Sequence, residues 1–246
     1  MALGVIELIS GDADAAARTA RDGRGRISED NEWGRVVIDT AVASFGLLSG
    51  RVDRPSIAAA VQRALRVGNP TMIVNSQFVA VVDSWRADPK GAARDLDECI
   101  ALTEAGAAAP TLGHMLSIRS VLSALDGDRF AAVEQLHHAV RFSHVKGDLP
   151  MLSCAFEYGL QTLAILGHDD AATVFTGFAR SPLMALVTNL PDTEVPNRDR
   201  AVADLRERVG PDVFDLEVAR AADLPLDDAV TASLSILDRL AADAHP

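Results

Sequence analysis

The stretch DGDRFAAVEQLHHAV, residues 126–140, decides the fold. A glycine between two aspartates makes a turn, and Asp128 stands where a carboxylate can cap the free N–H groups of a following helix. Ala131 and Ala132 come next, small enough to let a second helix approach closely. Related stretches recur on both sides: ADPKGAARDLDECIAL at 87–102, LGHDDAATVFTGFA at 166–179, SGRVDRPSIAAAVQRAL at 49–65 and SGDADAAARTA at 10–20. The pairs Ala92/Ala93, Ala131/Ala132 and Ala171/Ala172 follow one another at spacings of 39 and 40 residues. Asp53, Asp88, Asp128 and Asp169 fall at or near the starts of these small-residue helices.

Each such helix is preceded by a more apolar one. Trp33, Val36, Val37, Ala41, Phe45 and Leu48 lie three and four apart. So do Met115, Ile118, Val121, Leu122 and Leu125, and again Leu152, Phe156, Leu160, Leu163 and Leu166. That spacing draws an apolar stripe along one face of a helix. Pro70, Pro110 and Pro150 recur every 40 residues and are expected to open the apolar helices, since proline suits a first helical turn. The two beats together predict helical hairpins, none of which can bury its apolar faces alone. Stacked in a row, they would share a continuous core. The expected fold is therefore all-α: an α-solenoid of tetratricopeptide-like hairpins over residues 1–181, in four to five units with the first truncated. Residues 182–246 are expected to add C-terminal capping helices to the same structural domain. In that tail, helices are expected over 198–209, 211–222 and about 226–242, after a short helix and a loop.

Composition agrees. Of 246 residues, 48% are hydrophobic and only 4% aromatic, while Ala supplies about one residue in six. Helix formers dominate and the aromatics that favour sheets are scarce. A chain of this length buries roughly 70% of the surface its unfolded form exposes, enough for a substantial core. The net charge of −12 opposes a nucleic-acid footprint, which needs a basic face to displace counterions. The densest basic cluster, Arg18, Arg21, Arg24 and Arg26, is flanked by acidic residues and reads as a solvated helix end. Cys99 and Cys154 form no CxxC pair and are expected to be buried, inert thiols. No signal-peptide pattern and no apolar run of about 20 residues is seen, so the expected compartment is the cytoplasm, away from membranes.

The segment DLRERVGPDVFDLEVARAADLPLDDAVTASL, 204–234, carries a resemblance. Val209-Gly210, Phe214 and Leu224-Pro225-Leu226-Asp227-Asp228-Ala229-Val230 resemble the close of the helical-repeat region in actinobacterial LuxR-type ATPase regulators and their adenylate-cyclase-like relatives. Val209 stands where that pattern has Leu, Asp228 where it has Glu, and Asp223 where a Gly is frequent. The resemblance implies a non-catalytic sensor or protein-interaction module in transcriptional signalling. Its partner would be a protein or peptide, such as an ATPase or cyclase-like domain, with a small-molecule effector or a homodimer as further options. No GxxxxGK[ST] phosphate cradle, basic helix-turn-helix or cyclase region is present. The opening MALGVIELISGD reads as the tail of an apolar helix, which suggests a repeat portion detached from a larger regulator or made as a short gene product.

Catalytic patterns are sparse. Glu134 and His137 have the ExxH spacing of di-iron helices, but the second copy such sites need is missing. Asp95, Asp97 and Glu98 gather carboxylates on one turn without a facing partner motif. An all-α metal-dependent enzyme using these acidic positions is the alternative reading. No GxSxG elbow occurs, and no catalytic residue, cofactor or metal is assigned. The concave side of the stack is the expected binding surface. The polar residues that interrupt the stripes of the apolar helices, Arg35, Asp39, Asn75, Gln77, His114, Arg119, Glu157 and Gln161, are its candidates.

Overall fold

Carboxylate and amide caps start the helices much as the repeated turns foretell. In the computed structural model, which describes residues 12–48, 50–108, 110–187, 190–191 and 193–244, the side chains of Asp53, Asp88 and Asp128 accept from the N–H groups of Ser56, Gly91 and Ala131 at 3.0–3.1 Å. Asp12, Asn69 and Asp148 do the same for Ala15, Met72 and Met151. Asp169 differs. It lies inside its helix, the capping position falls to His168, and the carboxylate instead meets the Arg208 guanidinium. Pro70 and Pro150 open helices as expected, and Pro55 and Pro89 do so too. Pro110 sits two residues ahead of its helix, in the turn.

Thirteen helices result among the described residues, with no strand. They are α1 (Ala13–Arg24), α2 (Glu32–Leu48), α3 (Arg54–Val67), α4 (Pro70–Ser84), α5 (Pro89–Glu104), α6 (Leu112–Leu125), α7 (Arg129–Val145), α8 (Leu149–Ile165), α9 (Asp169–Ala179), α10 (Pro182–Val187), α11 (Val195–Val209), α12 (Pro211–Ala222) and α13 (Leu226–Ala244). The three tail helices start within three residues of where their sequence places them. None of the helices is long and apolar enough to cross a membrane, among the described residues. The opening MALGVIELISG lies outside the described residues. Two compact units divide the chain, one with α1–α5 and one with α6–α13.

In the first unit α2 packs on α1, α3 and α4, and α4 packs on α5. Arg51 reaches Asp14 at 3.1 Å while Arg24 reaches Asp39 at 2.8 Å, so α1 and α2 run antiparallel. Val36, Ile38, Val42 and Phe45 carry the buried stripe of α2. Trp33 does not join it and is 60% exposed.

The second unit is built on one turn used three times. Gly127, Gly147 and Gly167 have φ of 83°, 65° and 80°, the left-handed region that glycine enters without a Cβ penalty. The N–H groups after them, on Asp128, Asp148 and His168, donate back to the carbonyls of Ser123, Ser143 and Leu163 at 2.9–3.0 Å. This closes each helix by the Schellman pattern, and at Asp128 and Asp148 the same residue caps the next helix with its side chain. These glycines fall every 20 residues. Each turn reverses the chain, so α6 and α8 run parallel with α7 packed on both. Phe156, Phe175 and Phe178, with ring centroids 5.4–6.0 Å apart, fill the contact of α8 with α9. Of the tail, α11 lies on α8 and α9, α12 on α9, and α13 on α7. His137–Asp238 at 3.2 Å and His144–Asp227 at 3.9 Å set α13 antiparallel to α7. Gly177 lets α12 lie close to α9: a Cβ there would come within 2.6 Å of the Val218 carbonyl oxygen.

Candidate functional site

Of the polar residues nominated on the first unit, Arg35 and Asp39 are buried. Arg35 meets Glu29 at 2.6 Å. Asp39, 1% exposed, lies between Arg24 of α1 at 2.8 Å and Arg63 of α3 at 3.5 Å, and Arg63 also reaches Glu32 at 3.2 Å. Neither Asp39 oxygen accepts a well-directed hydrogen bond, so charge attraction rather than bond geometry joins these three helices. Asn75 and Gln77 on α4 are half-buried. The Cys99 thiol lies 3.6 Å from Gln77 Oε1. Burial, aided by Glu98 and Asp95, pushes that thiol up to about 12, and burial chiefly does the same for Cys154. Both are free, buried and far from the thiolate state that makes cysteine reactive.

On the second unit His114, Glu157 and Gln161 are buried and Arg119 is half-buried. His114 Nε2 lies 3.3 Å from the Tyr158 hydroxyl, with the rings 5.3 Å apart. Burial drives the imidazole down to about 4, so it is neutral at neutral pH. Arg119 donates to Ser123 Oγ at 2.8 Å. Gln161 donates to the Glu157 carbonyl oxygen at 3.4 Å. Glu157 Oε1 lies 3.5 Å from Arg198 of α11, while Oε2 has no hydrogen-bond partner. Burial raises the Glu157 carboxyl above the usual range, with Arg198 and Arg180 pulling the other way. The structure thus brings His114 beside the Glu157–Gln161 turn of α8. Two polar contacts, His114–Tyr158 and Ser120–Thr162, form a buried seam between α6 and α8, while Ser117 and Gln161 bond carbonyls of their own helices.

The acidic positions weighed for metal chemistry are dispersed. Glu134 is exposed, and its ExxH partner His137 faces Asp238. Asp95 pairs with its neighbour Arg94, and Asp97 and Glu98 are exposed. Among the described residues no three His, Cys, Asp or Glu side chains are grouped to hold a metal ion.

The second unit also contains a groove of about 370 Å³ that no motif marks. Phe156 and Phe178 from α8 and α9 line it, with Ser181, Pro182 and Leu183 at the start of α10. Ala222, Asp223, Leu224, Pro225, Leu226 and Ala229 come from the end of α12 and the start of α13. Its residues are chiefly apolar, and its volume falls in the range of small-molecule sites. Leu183 and Leu224 are 39% and 38% exposed, although both are large and apolar. Part of the signal lies in the sequence: Leu224, Pro225, Leu226 and Ala229 belong to the closing pattern noted above. The rest depends on the tail meeting α8 and α9, which local spacing does not encode.

Compared with protein families, characterised proteins and solved structures, the chain has no significant match to any.

Proposed function

We propose that the protein is a non-catalytic helical-repeat module that senses or binds a partner, built of tetratricopeptide-like hairpins and working in the cytoplasm. The observation that carries this reading is the regular offset between equivalent helices. His114 meets Tyr158 44 positions on, Ser120 meets Thr162 42 positions on, and Arg129 at the start of α7 meets His168 at the start of α9, 39 positions on. Near-constant offsets between alternate helices are what stacked hairpins produce. In this reading the buried members of the nominated set, Arg35, Asp39, His114, Glu157 and Gln161, brace the helices. Asn75, Gln77 and Arg119 are half-buried, with Gln77 beside the Cys99 thiol and Arg119 donating to Ser123.

The partner class follows from the resemblance of residues 204–234 to the end of the repeat region in LuxR-type ATPase regulators. A partner or effector that bridges several helices would shift the balance between two curvatures and so bias an attached ATPase or cyclase-like domain. Mixing the purified chain with the ATPase half of such a regulator and following the mass by light scattering tests it. A stoichiometric complex supports the module. Substrate turnover by the isolated chain, with no complex formed, overturns it.

A further inference from the structure

Helix α11 is seated differently from the two helices that follow it. Of its 15 residues, Val202 and Leu205 are buried. By contrast α12 buries Phe214, Val218 and Ala221, and α13 buries Ala229, Val230, Ser233 and Leu237. Much of the hold on α11 is electrostatic. Arg208 grips Asp169 of α9 with two bonds at 2.8–2.9 Å, and Arg206 grips Asp215 of α12 at 2.6–3.0 Å. These four side chains are 31–57% exposed, so each pair contributes little and salt screens it. Arg198 points inward instead, to Glu157 of α8, and that pair is poorly made. Glu157 is 4% exposed, its Oε1 lies 3.5 Å from the guanidinium, and its Oε2 has no hydrogen-bond partner. A buried carboxylate with half its acceptors unused loses more in desolvation than one distant cation restores. The charges acting on it are Arg198 and Asp199 from α11 and Arg180 at the close of α9. From α6 comes the neutral imidazole of His114, α7 turns His137 and His144 to α13, and α10 carries no charged residue.

We propose that α11 is a strap, held shut by Arg208, Val202 and Leu205 and loosened by the ionised Glu157 carboxylate beneath it, which opens while α12 and α13 stay seated. Opening carries Glu157 from the interior to water, where its charge is solvated. The chain is built to part there. Gly210, with φ of 94°, breaks the path between the helices, and the Phe214 N–H donates to the Gly210 carbonyl at 2.9 Å, so α12 begins on its own bond. Burial raises the closed carboxyl above its usual range although Arg198 and Arg180 pull the other way. The closed form therefore holds a proton more tightly than the open one, and the strap tightens as pH falls. This device goes beyond the partner-binding reading and does not depend on it.

The test is hydrogen exchange of the full chain read by mass spectrometry, each rate being divided by the intrinsic amide rate at the same pH. At pH 7.5 and low salt, α11 should exchange faster than α12 and α13. Acidifying to pH 5.5 should slow α11 relative to those two. Arg208→Gln, at an exposed position, should speed α11 about two- to fivefold, and added salt should act in the same direction. Glu157→Gln should slow α11 about fivefold at pH 7.5 and remove its response to acid, whereas a simple ion-pair latch would be weakened by that change. Protection of α11 equal to that of α12, or faster exchange of α11 in Glu157→Gln, would overturn the proposal. So would an unaltered chain whose α11 does not tighten on acidification, a result that needs no variant to fold.

Discussion

Ser120 Oγ and Thr162 Oγ1 meet at 2.9 Å in the seam between α6 and α8, joining positions 42 residues apart. Both are fully buried, and each hydroxyl also has a carbonyl of its own helix within reach, on Ser117 and Tyr158. Thr162→Val keeps the shape and removes the polar link, so it should cost about 1–2 kcal/mol by urea unfolding. With Ser120→Ala the losses should fall short of additive, because both remove the same bond. Strict additivity in that cycle would show the two hydroxyls to be uncoupled.

The seam also predicts an acid limb in stability. His114 titrates near 4 in the folded chain against an ordinary 6.5, because burial disfavours its charged form. Below 6.5 the unfolded chain takes a proton that the folded one refuses. Stability is thus full above 6.5 and is lost as pH falls toward 4, by at most about 3 kcal/mol. Glu157 acts in the opposite sense, since its raised carboxyl favours the folded form at low pH. His114→Gln isolates the imidazole. Between pH 7 and pH 4.5 its melting temperature should drop less than that of the unaltered protein.

At the other end of the chain, Asp39 should be the most sensitive charge. It is 1% exposed and Arg63 16%, while Arg24 keeps 38% of its surface in water. Asp39→Asn leaves the Arg24 and Arg63 guanidinium groups without the buried carboxylate between them, Arg63 keeping only the half-exposed Glu32. The expected loss is about 2–4 kcal/mol, below a fully buried pair because water still screens Arg24. Chemical denaturation followed by far-ultraviolet circular dichroism would measure it.

Capping and non-capping aspartates should separate cleanly. Asp128→Ala and Asp148→Ala each remove the side-chain acceptor of a helix start and should cost about 1 kcal/mol. Asp169→Ala removes only a partly exposed pair with Arg208 and should cost less, about 0.2–1 kcal/mol, an effect that added salt reduces. Melting curves at two salt concentrations distinguish the two mechanisms.

Close packing gives the fifth test. Gly177→Ala would press a methyl against the Val218 carbonyl and the Ala221 side chain on α12. Overpacking of this kind costs about 1–3 kcal/mol. Hydrogen exchange should show the protection of α12 falling more than that of α6.

Much of the helical plan was legible because its signals are local. Caps at Asp53, Asp88 and Asp128 act within three residues, and the proline and glycine punctuation acts within a turn. Asp169 misled because a carboxylate one place inside the helix looks the same in sequence, while its partner Arg208 is 39 positions away. The 40-residue beat hid a finer one: Gly127, Gly147 and Gly167 mark every turn, but only alternate turns are followed by an alanine pair. Polar interruptions of the stripes were visible, yet their burial was not. Whether Glu157 meets water depends on α11 lying against α8. The groove was the least legible, since Phe156 and Phe178 face Leu183 and Leu224 only after the tail has turned back.

The placement of α13 on α7 sets an order of events during synthesis. The α7 face that carries His137 and His144 receives its cover from a helix that begins at Leu226, some eighty positions later. While the ribosome is still making that distance, α7 lacks the cover that α13 gives it in the finished fold. A nascent chain stalled before Leu226 would therefore leave that face of α7 open to water, and release of the last helix would close it.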